Sequence, residues 1–152
     1  MKIYRLYRKQ FLPISMEEAW AFFSNPSNLA KITPPHMGFV IRSGADKTMY
    51  AGQLITYTVK PFPGVPLTWV TEITQVNEPH FFIDNQVFGP YSLWHHQHFF
   101  KPVEGGIEME DIVHYKIPLG ILGRIAHALF VKRQLKQIFD YRVKVLEERF
   151  PK

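Results

Sequence analysis

The chain has 152 residues, no cysteine and a formal net charge of +5. This length fits one domain over residues 1–152, and the lack of cysteine excludes disulfides, thiol catalysis and Cys-ligated metal sites. The positive charge is modest and accompanies no nucleic-acid-binding motif, so we expect no nucleic-acid partner. No apolar run approaches the ~20 residues of a membrane span, so we expect a cytoplasmic protein without stable membrane insertion.

Aromatic residues are abundant, with 13 Phe, 7 Tyr and 3 Trp making up 15% of the chain. Each of these side chains buries about 150–250 Å² of surface. Together they supply more apolar surface than the core of such a domain needs. The surplus predicts either a lined cavity or a covered interface. A protein-interaction module, with a homodimer as one form, is therefore one alternative.

The first forty residues predict one strand and two short helices. Residues 2–12 form the strand. Ser15, with Glu18 three residues later, is a capping box that starts a helix over residues 16–23. A second short helix is predicted around residues 29–32, before a Pro-Pro pair, because the residue before proline avoids helical angles.

The middle of the chain predicts an antiparallel meander. Alternating apolar and polar runs are separated by short turns rich in Gly, Pro, Asn and Asp, and no crossover helices fit between them. The Pro-rich segment 61–66 is predicted to be a stiff turn rather than a lid. The predicted strands cover residues 37–43, 52–60, 67–77, 80–87, 92–102 and 106–117.

The C-terminal region predicts one long helix over residues 121–149, with an apolar stripe facing the sheet. The stripe comprises Leu122, Ile125, Leu129, Leu135, Ile138 or Phe139, and Val145 or Leu146. Basic residues are assigned to the outer face of this helix, namely Lys132, Arg133, Lys136, Arg142, Lys144 and Arg149. The order of elements predicts an α+β helix-grip fold, in which about seven antiparallel strands curve around the C-terminal helix.

Alternation along each strand predicts which side chains face the interior. In strand 106–117 the odd-numbered residues form the apolar face, and in strand 92–102 the face that begins at Trp94 is favoured. In strand 80–87 hydrophobicity favours the face with Ile83, so Asp84 and Gln86 point inward only in the alternative arrangement. The candidate ligand-binding residues are Tyr57, Trp69, Thr71, Asp84, Gln86, Trp94, His96, His98, Phe100, Met109, Asp111 and Tyr115.

These residues combine apolar walls with a few polar groups, which cost about 1–3 kcal/mol each if buried unpaired. A mostly apolar cavity with converging polar groups is typical of a small-molecule site. The sequence therefore predicts a carrier or sensor for a small hydrophobic or amphipathic ligand. Tyr57, His96, His98 and Asp111 would orient the ligand's polar end.

His96 and His98 allow two further hypotheses. They could ligate a metal ion together with Asp84 or Asp111, but the spacing fixes no third ligand, so we predict no metal and no cofactor. His96 with Asp111, or His98 with Asp84, could instead form an acid–base pair in a polyketide cyclase/dehydrase-like enzyme. No catalytic residue is assigned, and a buried polar network is the simpler interpretation.

Several segments resemble the START-like, or SRPBCC, superfamily, which includes birch-pollen-allergen-like, polyketide cyclase/dehydrase and coenzyme-Q-binding START proteins. The resemblance lies in residues 12–23, 25–29, 32–35, 69–73, 88–91, 94–99 and 111–118, and with the final helix it covers nearly the whole chain. The stretch from Gly89-Pro90-Tyr91 to Trp94-His95-His96-Gln97-His98 resembles an uncharacterised bacterial ligand-binding subgroup. The resemblance implies the helix-grip fold and a hydrophobic cavity but no particular reaction.

Overall fold

The N-terminal elements agree with the prediction in type and order. The computed structural model describes residues 1–62 and 64–152. Strand β1 (Tyr4–Leu12) leads into helix α1 (Met16–Phe23), where the Ser15 side chain accepts a hydrogen bond from the Glu18 backbone N–H at 3.1 Å. Two 3₁₀ helices follow, Pro26–Ile32 and Pro35–Met37, so the second predicted helix starts earlier than expected.

The remaining strands are β2 (Val40–Ser43), β3 (Leu54–Phe62), β4 (Val65–Asn77), β5 (Phe81–Phe88), β6 (Leu93–Val103) and β7 (Gly106–Lys116). In the described part of the chain, they complete one seven-stranded antiparallel sheet with β1, in the order β1-β7-β6-β5-β4-β3-β2. Pairing of β1 with β7 brings the first strand beside the last. The predicted meander is confirmed, while Pro63 of the predicted Pro-rich turn lies outside the described residues.

The C-terminal helix lies where predicted but is not one regular helix. A π-helical turn, His127–Val131, separates α2 (Gly120–Ala126) from α3 (Lys132–Arg149). Within the described ranges, no helix combines the length and the apolar composition that a membrane span needs.

The predicted apolar stripe is wrong in its first half. Leu122, Ile125 and Leu129 are 69%, 51% and 73% exposed, whereas Leu135 and Leu146 are buried. Leu122 and Ile125 belong to α2 and Leu129 to the π turn, whereas Leu135 and Leu146 belong to α3. The exposed apolar residues before α3 therefore lie outside the stripe that α3 buries.

Alanine substitutions in the two halves of this helix should differ in their effect on the free energy of unfolding. We expect Leu135→Ala to lower the free energy of unfolding by about 2–5 kcal/mol, because it leaves a cavity in the core. Leu129→Ala should change it by less than about 0.5 kcal/mol, since that side chain is exposed. Urea unfolding measures both, and equal losses would contradict the burial described above.

The predicted orientation of β5 is wrong. This strand turns its face with Asp84 toward the interior, and not the more hydrophobic face with Ile83. Asp84 pairs across the sheet with His96 of β6 and Ile73 of β4, both of which are buried. Cross-strand partners share a face, so Asp84 also points into the fold. Ile83 is buried on the other side, and Val87, on that same side, is 52% exposed.

Candidate ligand-binding cavity

A cavity of about 470 Å³ lies between the sheet and the C-terminal helix. This volume is within the range of small-molecule sites in proteins, about 300–1,000 Å³. The strands supply one wall, and α3 supplies the other through Leu135, Ile138 and Phe139. Most of the lining is apolar, as the sequence predicts.

Nine of the twelve predicted residues line this cavity. They are Tyr57, Trp69, Thr71, Asp84, Trp94, His96, His98, Met109 and Asp111. The other three, Gln86, Phe100 and Tyr115, have different partners in the fold.

Gln86, Phe100 and Tyr115 are not part of the lining that the structure describes. The Gln86 side chain bonds both the backbone N–H and the carbonyl of Tyr91, and so fixes the turn between β5 and β6. Phe100 packs in the core beneath Trp20. The Tyr115 hydroxyl lies 2.7 Å from Nε2 of His127, in the π turn.

Aromatic side chains form one end of the cavity around the Thr71 hydroxyl. Trp69 donates its indole N–H to Thr71 Oγ1 at 3.0 Å, and the Tyr57 hydroxyl lies 3.1 Å from the same oxygen. Trp94 meets Trp69 edge to face, with 5.3 Å between the ring centroids. Because these polar atoms are already paired, this end is a rigid and mainly apolar surface.

Asp84, His96, His98 and Asp111 form a second feature, which we name the His–Asp cluster. His98 Nε2 lies 2.6 Å from Asp84 Oδ2, and His98 Nδ1 lies 3.3 Å from Asp111 Oδ1. His96 Nε2 lies 2.8 Å from the same Asp111 oxygen. These contacts include both acid–base pairings that the sequence predicts.

His98 is the histidine whose surroundings favour the protonated form, because Nε2 bonds Asp84 and Nδ1 lies 3.3 Å from Asp111 Oδ1. Burial by itself would lower the pKa of His98, but hydrogen bonds to Asp111 and Asp84 outweigh it and raise the pKa above its usual value. Burial would likewise raise the pKa of Asp111, yet hydrogen bonds from His96 and His98 hold it far below the ordinary range. His98 is therefore an imidazolium between two carboxylates.

His96 is the neutral histidine. Burial lowers its pKa, and the adjacent charge of His98 lowers it further, since the two rings stack with centroids 3.7 Å apart. Its single proton lies on Nε2, which faces the Asp111 carboxylate. The Nδ1 lone pair of His96 is left as a hydrogen-bond acceptor.

The two histidines should titrate on opposite sides of the ordinary histidine pKa of 6.5. We expect the His98 ring to remain protonated above pH 6.5 and the His96 ring to remain neutral below it, as the directions of their pKa shifts require. A pH titration of ¹⁵N-labelled histidine side chains by NMR measures this. Superimposed titration curves near pH 6.5 would show that the cluster is not formed in solution.

Arg142 of α3 also lines the cavity, although the sequence analysis places it on the outer face of the helix. That assignment is wrong, because Arg142 is only 9% exposed. Its guanidinium lies over the Phe139 ring, 4.8 Å from the centroid. Arg142 lies three residues after Phe139 and four residues before Leu146. This spacing places it within the buried stripe, a signal that its charge obscured.

Three residues of the cluster have the donor types of a metal site. One potential ligand atom from each of Asp84, His96 and His98 lies within 4.8 Å of the others. In the structure both histidines instead bond to carboxylates, and their rings are stacked with centroids 3.7 Å apart and 25° between the planes, so that their in-plane lone pairs do not converge on one ion. A bound divalent ion would need both a deprotonated His98 and turned rings, so the geometry fits a hydrogen-bonded cluster better.

The cavity opens at a mouth formed by Phe62, Leu119 and Phe130, which line it and are also exposed. Phe62 at the end of β3 stacks on Phe130 of the π turn, with ring centroids 5.1 Å apart. Beside them, the Gln134 side chain donates to the Pro61 carbonyl at 2.8 Å. Among the described residues, sheet and helix therefore meet at the mouth through this ring stack and this hydrogen bond.

No protein-family model matches the sequence, and no curated protein matches it. Solved structures do match over almost the whole chain. TTHA0849 of Thermus thermophilus has 16% identity and a TM-score of 0.74, with 97% of each chain covered. Major latex-like protein 151 of Panax ginseng has 11% identity and a TM-score of 0.70, with 99% of each chain covered.

A Thalictrum norcoclaurine synthase, solved as a point mutant with a transition-state analogue, has 13% identity and a TM-score of 0.66. That likeness covers 97% of this chain and 96% of the synthase. Identities this low establish architecture and leave chemistry open. The chain therefore shares the fold of these structures, a seven-stranded antiparallel sheet curved around a long C-terminal helix, which is the helix-grip fold that the sequence predicts.

Proposed function

We propose that this protein binds a small amphipathic molecule inside the cavity, as a carrier or sensor. The observation that carries the proposal is the cavity itself, about 470 Å³ with apolar walls and a buried charged cluster on one side. An apolar chain against Trp69, Trp94 and Met109 would supply the affinity at about 25 cal/mol per Å² removed from water. The His–Asp cluster would orient the ligand's polar end.

Two observations support ligand binding. The interior contains an open cavity, whereas a protein-interaction module would have a filled interior and its surplus aromatic residues on the surface, although the exposed side chains of α2 offer apolar contact area. The Thalictrum norcoclaurine synthase, which shares the fold, is solved with a small molecule bound. A cytoplasmic location and the absence of a nucleic-acid partner stay predictions.

Neutral alcohols of increasing chain length test the proposal without involving charge. We expect 1-alkanols from hexanol to dodecanol to bind with affinity that rises about fourfold per methylene, because each buried CH₂ contributes about 0.8 kcal/mol. The rise should stop once the cavity is full. Titration calorimetry measures the series, and the intrinsic fluorescence of Trp69 and Trp94 provides a second signal.

A matched pair of variants places the binding inside the cavity. Ile138→Trp fills it from α3, and we expect this change to abolish alcohol binding, whereas Gln137→Trp adds the same ring on the exposed side of the helix. Both variants should unfold cooperatively. Equal alcohol binding by the two, or none by the wild type, would overturn the proposal.

A second candidate function is an enzyme of polyketide cyclase/dehydrase type. The observation that favours it is the opposed pKa shifts of His96 and His98, since neighbouring groups with separated pKa values suit acid and base roles. Neutral His96 would be the base and cationic His98 the acid. Turnover of aromatic polyketide-like substrates that is lost in both His96→Gln and His98→Gln would establish it, and binding without turnover would exclude it.

A further inference from the structure

Arg142 is a buried cation without a direct partner. Its side chain is more than nine-tenths buried, and no hydrogen bond forms at Nε. Among the described residues, no carboxylate oxygen lies within 4.0 Å of its guanidinium, because Arg142 takes part in none of the ion pairs. Burial of an unpaired charge is costly, so a partner that enters the cavity would remove a large penalty.

The two carboxylates that could balance this charge are already occupied. Asp84 accepts a hydrogen bond from His98, and Asp111 accepts one from His96 and lies 3.3 Å from Nδ1 of His98. Because His96 is neutral, the cations that balance the charge of the two carboxylates are His98 and Arg142. Of these two cations, only His98 contacts the carboxylates. The guanidinium therefore keeps its donors for another acceptor.

The position of the guanidinium suits a planar anion. Its central carbon lies over the ring of Phe139, 4.8 Å from the centroid, and its N–H groups make no hydrogen bond to the described residues, so they remain able to donate. Five donors in a rigid fork match the two oxygens of a carboxylate, and such bidentate pairs are among the strongest hydrogen-bonded contacts. The surrounding walls are apolar and suit an aliphatic or aromatic body behind that head group.

We propose that Arg142 anchors the carboxylate of an amphipathic carboxylic acid, which is then the class of ligand that the cavity takes. This inference rests on the proposed function and adds the chemistry of the head group. The Nδ1 lone pair of His96 repels an anion and accepts from a hydroxyl. The cavity thus presents one anion-binding donor, Arg142, and one acceptor, His96.

Three probes that share an unbranched ten-carbon chain test the head group, namely decanoate, its methyl ester and 1-decanol. At pH 7.5 we expect the wild type to bind decanoate at least about 10-fold more tightly than the ester or the alcohol. Arg142→Gln should weaken decanoate binding by about 10- to 100-fold, the range for hydrogen bonds to charged groups. It should leave 1-decanol affinity within about threefold.

Two further variants serve as controls. Arg142→Lys keeps the charge but not the fork, and should retain an intermediate preference for the acid. Lys144→Gln removes an exposed charge from the same helix and should leave all three affinities unchanged. Circular dichroism of each variant checks that it is folded.

The outcomes separate this inference from the proposed function. If 1-decanol binds the wild type and decanoate binds no more tightly, the cavity is a ligand site and the Arg142 assignment is wrong. If Arg142→Gln weakens the acid and the alcohol equally, the residue acts through packing and the assignment is again overturned. If none of the three probes binds the wild type, both proposals fail together.

Discussion

Replacement of Asp111 by alanine is expected to lower the free energy of unfolding by about 3–5 kcal/mol at pH 7, because it removes one side of a buried charged network. Asp111 is 4% exposed and accepts from both His96 and His98. Without it, the His98 imidazolium keeps only Asp84 as a counter-charge and His96 has no acceptor. Urea unfolding followed by circular dichroism measures the loss.

Glu108→Ala is the matched control for this effect. Glu108 lies on the same strand, faces outward and pairs with Lys9 at 3.3 Å on the surface. A surface pair of this kind contributes about 0–1 kcal/mol. A similar small loss for Asp111→Ala would show that the His–Asp cluster contributes little to the fold.

The Asp111 prediction also has a pH dependence. The pKa of Asp111 is lowered in the folded protein, so its contribution is present above the ordinary carboxyl pKa and is lost as the pH falls below it. The wild type should therefore lose stability on acidification below about pH 4 more steeply than Asp111→Asn, which has no such proton to take up. Parallel losses would contradict the assigned charge.

Replacement of Arg142 by leucine is expected to raise the free energy of unfolding of the ligand-free protein by about 1–3 kcal/mol, because it removes a buried cation whose Nε has no hydrogen-bond partner. The same change should abolish the preference for decanoate. Protonation of His96 can restore the charge balance that Arg142 supplied, so the pKa of His96 should rise. Chemical unfolding and histidine NMR measure the two effects.

A gain in stability together with a loss of binding would identify Arg142 as a residue kept for its ligand. Lys144→Leu, at an exposed position two residues along the helix, should change the unfolding free energy by less than about 0.5 kcal/mol. A clear loss of stability in Arg142→Leu, larger than that of the Lys144 control, would contradict the account, because it would mean that Arg142 stabilises the carboxylates in the empty protein.

The strands were the most predictable part of this fold. In β7 the alternation is unbroken, so the buried set from Ile107 to Tyr115 follows directly from the sequence. The Ser15 cap was equally clear, because its hydrogen bond joins residues three apart in the chain. Both signals are local, and local signals do not depend on how the rest of the chain packs.

Features set by cross-strand or helix–sheet packing were harder to predict. The inward face of β5 depends on its pairing with β6 and β4, which outweighs the higher hydrophobicity of the face with Ile83. The exposure of Leu129 depends on the phase of a helix that contains a π turn. Neither the pairing register nor the π turn has a signature in composition.

The candidate site was predictable where strands build it. His96, His98 and Asp111 share a face by simple alternation, and their pairing follows from the β6–β7 register. The charge of Arg142 favours solvent exposure, whereas its spacing of seven residues from Leu135 indicates the buried face, and the spacing is the signal that the structure follows. Tyr115 has the right parity, but α2 and His127 cover it.

Native mass spectrometry of the protein purified under mild conditions tests the central claim most directly. We expect the wild type to carry or take up one equivalent of a small amphipathic molecule, with decanoate as the added probe, and Ile138→Trp to remain empty under the same conditions. Acid extraction would then identify any molecule that copurifies. A wild type that stays at its bare mass with excess decanoate and with excess 1-decanol would show that the cavity binds no such ligand.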